Sequence, residues 1–285
     1  MSRPESQLPP NLYYNEQESV KYTNCNRIIN IQTQLSERAI QLLDLDLDEC
    51  SLVLDIGCGS GISGFYLTQE GVNWVGLDIS ESMLNVAQQE KTEGELLLCD
   101  IGQGFKFRPG VFDAAISISV IQWLCVSFKK SENPYKRCTA FFESLRNCLK
   151  NNARAVFQFY PENNEQINMI TSAALRAGFS GDIVVDYPNS AKAKKLYLVL
   201  QLGGQSSKKT MDVIQGLIEE SDEEKVKVIG RQQKKIRKQK KQKKISEKSK
   251  LWILKRKEKQ TRLGRKVKKT TKYTGRKRNN LGLFK

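Results

Sequence analysis

The sequence contains no histidine in its 285 residues. That absence removes every mechanism built on imidazole: no Ser-His-Asp triad, no Cys-His dyad and no His-ligated zinc can be assembled from this chain alone. Cysteine is present but unorganised. The seven, Cys25, Cys50, Cys58, Cys99, Cys125, Cys138 and Cys148, form no Cys-x-x-Cys pair and are odd in number. Neither a disulfide framework nor a zinc ribbon is expected, and no metal ligand set stands out. With no apolar signal region at the N-terminus, a reducing compartment suits these thiols, which read as core filler. No apolar run is long enough to cross a bilayer, so no membrane association is expected.

What is abundant is positive charge, and it is segregated. Residues 1–203 hold 18 Lys+Arg against 23 Asp+Glu, a net of −5, whereas residues 204–285 hold 29 against 8, a net of +21. Three regions follow: a polar, proline-bearing N-terminal arm over 1–22 with the aromatic pair Tyr13-Tyr14, a mildly acidic globular body over 23–203, and a basic tail over 204–285. The stretch 205–250, rich in Ser, Lys and Gln, cannot bury a core and is expected to be largely disordered. The tail is a strong electrostatic attractor for RNA and a plausible nuclear localisation signal.

Within the body, apolar periodicity alternates between strand and helix. Ile28, Ile31, Leu35, Ala39, Leu42 and Leu43 make one face of a helix over 26–43. Strands are predicted at 52–56, 73–78, 95–99, 112–117, 153–160, 183–186 and 196–201. Helices are predicted at 62–69, from a Ser80 cap to about 89, at 136–149, and at 166–177 before Gly178. This pattern predicts an α/β fold: a mostly parallel seven-stranded sheet with helices on both faces. The last two strands have no helix between them, so the final one is expected to enter antiparallel at the edge.

The first strand runs directly into Asp55-Ile56-Gly57-Cys58-Gly59-Ser60-Gly61. Glycines at 57, 59 and 61 allow a tight strand-to-helix turn and close ligand approach. Ile62 stands where a dinucleotide loop wants a small residue, and no Gly-Lys-Ser/Thr follows, so neither a nicotinamide cofactor nor a P-loop phosphate is favoured. S-adenosylmethionine fits better. Asp55 can face its ammonium group, and Asp78, at the end of the second strand, can accept from both ribose hydroxyls. Asp100 can meet the adenine amino group while Ile79, Met83 and Ile101 enclose the ring. Ser117, at the end of the fourth strand, joins this cofactor-binding set.

The methyl acceptor is read by elimination. Methylation of an exocyclic amine needs an Asn/Asp-Pro-Pro-Tyr type of motif after the fourth strand, which here reads Ile116–Trp123 instead. Asn133-Pro134-Tyr135 lies further on and reads as the first turn of a helix. Carbon-5 methylation needs a positioned thiolate, and no Pro-Cys pair places Cys125. Guanine N7 needs neither, because it carries a free lone pair and no proton. Catalysis would then be alignment and desolvation, with no general base. Gln122, Trp123 and Tyr160 are the candidates for positioning the acceptor, the two aromatics also for facing its cationic product.

These residues resemble the eukaryotic 18S rRNA (guanine-N7) methyltransferases, the Williams–Beuren syndrome chromosome region methyltransferase family. The resemblance rests on Pro9–Tyr14, Arg27–Ile29, Leu54–Gly61, Trp74–Ser80, Ile116–Cys125, Lys130–Pro134, Phe159–Asn163, Val185–Lys194, Trp252–Leu254 and Lys272–Arg278. It implies the Rossmann-like class I methyltransferase fold, S-adenosylmethionine as cofactor and a guanine of 18S rRNA in the small-subunit precursor as acceptor. It also implies a nuclear and nucleolar location, with the cytoplasm as a secondary one, and a small zinc-binding activator subunit as partner. RNA contacts are expected at Lys272, Arg276, Lys277 and Arg278. Asn11 and Asn15 depart from the family pattern, which has acidic residues there. Two other readings compete: a methyltransferase acting on protein or small molecules, and a pre-ribosome assembly factor whose scaffold role is separable from methyl transfer.

Overall fold

The computed structural model describes residues 3–44, 51–190 and 193–203, together with the isolated Lys257 and Lys269. The described residues from 3 to 203 belong to one compact unit. The expected disorder of the tail and the candidate RNA contacts Lys272, Arg276, Lys277 and Arg278 lie outside the described residues.

The helices begin where the sequence supplies caps. α1 (Pro10–Tyr13) and α2 (Glu16–Asn24) occupy the region predicted as an arm, so the boundary drawn at residue 22 falls inside a helix. Asn15 caps α2, its Oδ1 accepting from the Glu18 backbone N–H at 3.0 Å. The departure from an acidic residue there is physically neutral, since Asn and Asp cap equally well. α3 (Asn26–Leu43) buries Leu35, Ala39, Leu42 and Leu43, the face that its periodicity predicts.

Alternation then begins: β1 (Leu52–Ile56), α4 (Ile62–Gln69), β2 (Asn73–Asp78), α5 (Glu81–Gln89), β3 (Glu95–Leu98), β4 (Phe112–Ile118), α6 (Pro134–Cys148), β5 (Leu149–Phe159), α7 (Asn164–Arg176), β6 (Phe179–Asp186) and β7 (Lys195–Leu202). Ser80 caps α5 through the Met83 N–H at 3.2 Å. Pro134 opens α6 behind an Asn133 cap, which accepts from the Lys136 N–H. Asn133-Pro134-Tyr135 is therefore a helix start.

The sheet has seven strands in the order β3-β2-β1-β4-β5-β7-β6. β1 pairs parallel with β2 and β4, and β4 pairs parallel with β5, whereas β7 is antiparallel to both β5 and β6. The expectation of an antiparallel final strand at the edge is corrected in position: β7 inserts between β5 and β6, and β6 forms the edge. Insertion gives β7 hydrogen-bonded neighbours on both sides, and its residues Tyr197–Leu200 are buried.

Alternating side chains feed two cores. One face of the sheet meets α6 and α7 through Leu54, Ile56, Phe141, Phe142, Phe157 and Phe159. The other meets α3 and α4 through Val53, Trp74, Ile116, Val156 and Val199. Six cysteines are free thiols among the described residues, and Cys58, Cys138 and Cys148 are buried as expected of core filler. Among the described residues no helix is long and apolar enough to cross a membrane.

Candidate functional site

The parallel strands end together, and a cleft opens at their carboxyl ends. This is where ligands sit in open α/β sheets, beside the point at which strand order reverses. Here β1 and β4 diverge in connectivity, and the glycine loop lies between them.

Local hydrogen bonds shape that loop. The Gly57 and Cys58 N–H groups both donate to the Leu77 carbonyl at 2.7 and 3.0 Å, tying the loop to the end of β2. The Gly59 N–H donates to Asp78 Oδ2 at 2.8 Å. Gly57 has φ +73°, and a Cβ there would sit 2.1 Å from Val120 Cγ2. Only glycine satisfies both the left-handed backbone and that close approach.

Of the predicted cofactor residues, Gly57, Gly59, Asp78, Ile79, Met83, Asp100 and Ile101 line the cleft together. Gly61, with φ +85°, precedes α4 and shapes the turn. Asp78 is pinned: its Oδ1 accepts from the Ser80 N–H at 2.8 Å while Oδ2 takes Gly59. Burial raises its pKa, and the backbone N–H bonds oppose the rise. Each carboxylate oxygen still has a lone pair for a hydroxyl donor.

Two predicted cofactor residues stand behind the cleft wall. Asp55 is fully buried, accepting from Ser63 Oγ at 2.6 Å through Oδ2, while its Oδ1 has no partner. Burial pushes its pKa up to about 7 against the lowering bond from Ser63, with Asp78 adding to the rise. Its direct exposure to a ligand is thus corrected. Strand alternation turns it to the same side as Val53, beneath α4. Ser117 is also buried, and its Oγ donates to the Ile56 carbonyl at 2.9 Å, bracing β4 on β1.

The acceptor candidates separate. Trp123 lines the cleft from a short 3-10 turn (Ile121–Cys125). Gln122 does not line it; its Nε2 donates to the Ser119 carbonyl at 2.8 Å, and its Oε1 is buried without a partner. Tyr160 stands apart from these two. The antiparallel register pairs Phe159 with Leu196, so Tyr160 falls opposite Lys195. Lys195 Nζ donates to its hydroxyl at 2.9 Å and lies 5.0 Å from the ring centroid. Tyr160 is absent from the cleft lining.

Sequence reasoning missed the other half of the cleft. Pro10, Tyr14 and Tyr22 line it from the N-terminal region, together with Gln32, Ser36 and Arg137. Tyr14 meets Tyr22 at 5.8 Å and Trp123 at 6.1 Å between centroids. Its carbonyl accepts from Ser80 Oγ at 2.8 Å, linking the aromatic half to the cofactor half. The Tyr13-Tyr14 pair was the available signal, but a polar surrounding sequence pointed to a loose arm. Arg137 binds Asp100 with two hydrogen bonds.

Comparison with known proteins gives this geometry a family. Residues 54–157 match a model described as a methyltransferase domain, and residues 200–280 match one described as a methyltransferase involved in Williams-Beuren syndrome. The chain is 49% identical to the 18S rRNA (guanine-N(7))-methyltransferase of Mus musculus, over 97% of this chain and 96% of that protein. It is 47% identical to the 18S rRNA (guanine(1575)-N(7))-methyltransferase of Saccharomyces cerevisiae, over 98% and 99%. The chain belongs to the 18S rRNA (guanine-N(7))-methyltransferase family. Solved structures agree on the fold. A Haemonchus contortus phosphoethanolamine N-methyltransferase with bound S-adenosyl-L-methionine superposes with a TM-score of 0.52 at 16% identity, covering 72% of this chain and 61% of that one. A TehB-like methyltransferase of Corynebacterium glutamicum gives 0.50 at 18% identity, covering 65% and 98%.

The family's cofactor fits the residues present. S-adenosylmethionine carries a cation, a ribose diol and an adenine ring. The cleft offers the Asp78 carboxylate as an acceptor, a bare backbone cradle at Gly57 and Gly59, and apolar walls at Ile79, Met83 and Ile101; the unmatched Asp55 Oδ1 lies buried behind its wall.

Proposed function

We propose that this protein transfers the methyl group of S-adenosylmethionine to N7 of a guanine in 18S rRNA during small-subunit biogenesis. The observation that carries the reading is near-full-length similarity to guanine-N7 methyltransferases on a chain whose cofactor cleft is intact. When bound, S-adenosylmethionine supplies a methyl group activated by a sulfonium. The residues of this chain do the rest. Asp78 holds the ribose, Asp55 balances the ammonium through the loop, and the Ile79, Met83 and Ile101 side chains exclude water from the adenine. Trp123 and Tyr14 bound the acceptor half. N7 presents a lone pair, so the chain needs to orient the base and remove water rather than take a proton. The aromatic faces also favour a product that has become cationic.

The tail and a partner complete the reading. The net +21 over 204–285, which includes Lys272, Arg276, Lys277 and Arg278, suits the phosphate backbone of a ribosomal precursor. It also suits a nuclear and nucleolar location. A small zinc-binding activator subunit is supported by β3, an edge strand with Leu97 and Leu98 exposed at 43% and 60%. Bare apolar edges are a liability unless covered. A separable assembly role is favoured by the same tail. The deciding experiment is reduction and aniline cleavage of 18S rRNA from cells lacking the chain. Cleavage at an N7-methylguanine should vanish there, return with the wild-type chain and stay absent with Asp78→Ala. Cleavage that persists unchanged in cells lacking the chain would overturn the reading.

A further inference from the structure

The loop that joins Trp123 to α6 carries positive charge that the fold leaves unanswered. Residues 126–137 hold four basic side chains, Lys129, Lys130, Lys136 and Arg137, against a single acid, Glu132. That acid is spent on the backbone. Its Oε2 accepts from the Phe128 N–H at 2.9 Å and the Lys129 N–H at 3.4 Å. Its own N–H donates to the Lys129 carbonyl, and its carbonyl accepts from Ser127 Oγ, both at 2.9 Å. The loop is thus tied back on itself, with its carboxylate turned away from the lysines. Arg137 is committed to Asp100. Lys129, Lys130 and Lys136 are exposed, and among the described residues no ion pair reaches them.

Both flanks of this loop belong to the cleft: Trp123 lines it on one side and Arg137 on the other. The Phe128 ring lies 6.5 Å from the Trp123 ring, and the Tyr13 ring lies 6.2 Å from it, between centroids. Phe128 and Tyr13 are half-buried and stand outside the cleft lining. Aromatic surface therefore continues from the acceptor half, through Trp123, to Phe128, and Lys129-Lys130 follow directly. Rings beside free ammonium groups suit a single-stranded nucleic acid, whose bases stack on the rings while its phosphates meet the cations. A duplex keeps its base faces covered, and an acidic protein segment has no use for the rings.

We propose that Phe128, Lys129 and Lys130, with Lys136 beside them at the start of α6, form a track for the single-stranded RNA that flanks the acceptor guanine. This rests on the guanine-N7 reading above and names a surface of the folded body, separate from the basic tail, that holds the substrate strand. Phosphate contacts fix register without reading sequence. The track therefore positions the strand at the mouth of the cleft, and Trp123 meets the base that enters.

The test uses the full-length chain carrying Lys129→Ala and Lys130→Ala together. On small-subunit precursor particles from cells lacking the chain, kcat/KM should fall roughly tenfold, carried by KM. Its logarithm plotted against the logarithm of salt concentration should have a slope shallower by about 1.4, the value for two phosphate contacts on a single strand. S-adenosylmethionine affinity and melting temperature should be unchanged, and Lys129→Arg with Lys130→Arg should restore the wild-type slope. An unchanged KM and slope in the alanine variant would overturn the proposal, because the tail would then carry all the contacts. Loss of cofactor affinity and melting temperature together with activity would also overturn it, by reducing the lysines to a structural role. A second measurement does not depend on turnover. Ultraviolet cross-linking of the wild-type chain to the particles, followed by peptide mapping, should join 18S rRNA to the peptide containing Phe128. RNA recovered only on tail peptides would sink the track. Failure of the wild type to label the particles, with the Phe128 cross-link intact, would count against methyl transfer instead.

Discussion

Arg137 grips Asp100 through two hydrogen bonds, from Nη2 to Oδ1 at 3.0 Å and from Nη1 to Oδ2 at 3.2 Å, at the wall of the cleft. The same carboxylate caps the short turn after β3, accepting from the Gly102 N–H at 3.0 Å. Gly102 makes room for the guanidinium: a Cβ there would sit 2.4 Å from Arg137 Cζ. α6 thus fixes the orientation of the group proposed to meet the adenine amine.

It follows that Arg137→Met should weaken S-adenosylmethionine binding by roughly tenfold, because Asp100 loses its orientation and its counter-charge together. The pair is partly exposed, with side chains at 16% and 23%. Its loss should therefore cost stability only about 1 kcal/mol. Calorimetry and a thermal melt on the same variant separate the two effects.

Gly57→Ala should abolish cofactor binding. The left-handed backbone costs about 1–2 kcal/mol for a non-glycine residue, and the new methyl group meets Val120 at 2.1 Å. Adding Val120→Ala removes the collision but not the backbone strain. The double variant should regain part of the melting temperature and little of the activity. Full recovery of both would show that the conformation of Gly57 is not required.

Asp55 gives the fold a pH signature. Its folded pKa, about 7, lies above the usual carboxylate range. The folded chain therefore binds this proton more tightly than the unfolded one. Its contribution to stability is fully present below about pH 4 and is lost as pH rises through about 7. The total is on the order of a few kcal/mol. Asp55→Asn should flatten that part of the profile and raise the melting temperature at about pH 8, while weakening cofactor binding. Unchanged affinity would reduce Asp55 to a prop for Ser63.

The cofactor half was legible because local rules write it. An apolar run ending in alternate glycines, a serine cap after Asp78 and an acidic strand end each leave a mark within a few residues. The acceptor half depends on pairing between distant segments. Tyr160 looked available until the register of β5 with β7 set it against Lys195. Strand insertion of this kind has no local periodicity. Tyr14 lies in the bend between α1 and α2, and Tyr22 sits on a helix too polar to show an apolar stripe; Tyr14 packs against both Trp123 and Tyr22. Arg137 was hidden in the first turn of α6, where its charge reads as ordinary helix surface.

One further ion pair tests how the far edge of the sheet is held. Arg38 Nε donates to Asp186 Oδ2 at 3.0 Å and Nη2 to Oδ1 at 3.3 Å, joining α3 to the end of β6. The Asp186 side chain is 2% exposed and that of Arg38 12%. Arg38→Ala leaves the carboxylate buried without its counter-charge, which should cost about 3–5 kcal/mol. Arg38→Met with Asp186→Leu removes both charges and refills the space, so it should recover most of that loss, as measured by chemical denaturation. If the double variant is no more stable than Arg38→Ala, the carboxylate must be answering to other donors at the β6 end, and the pair is only one strand of a wider network.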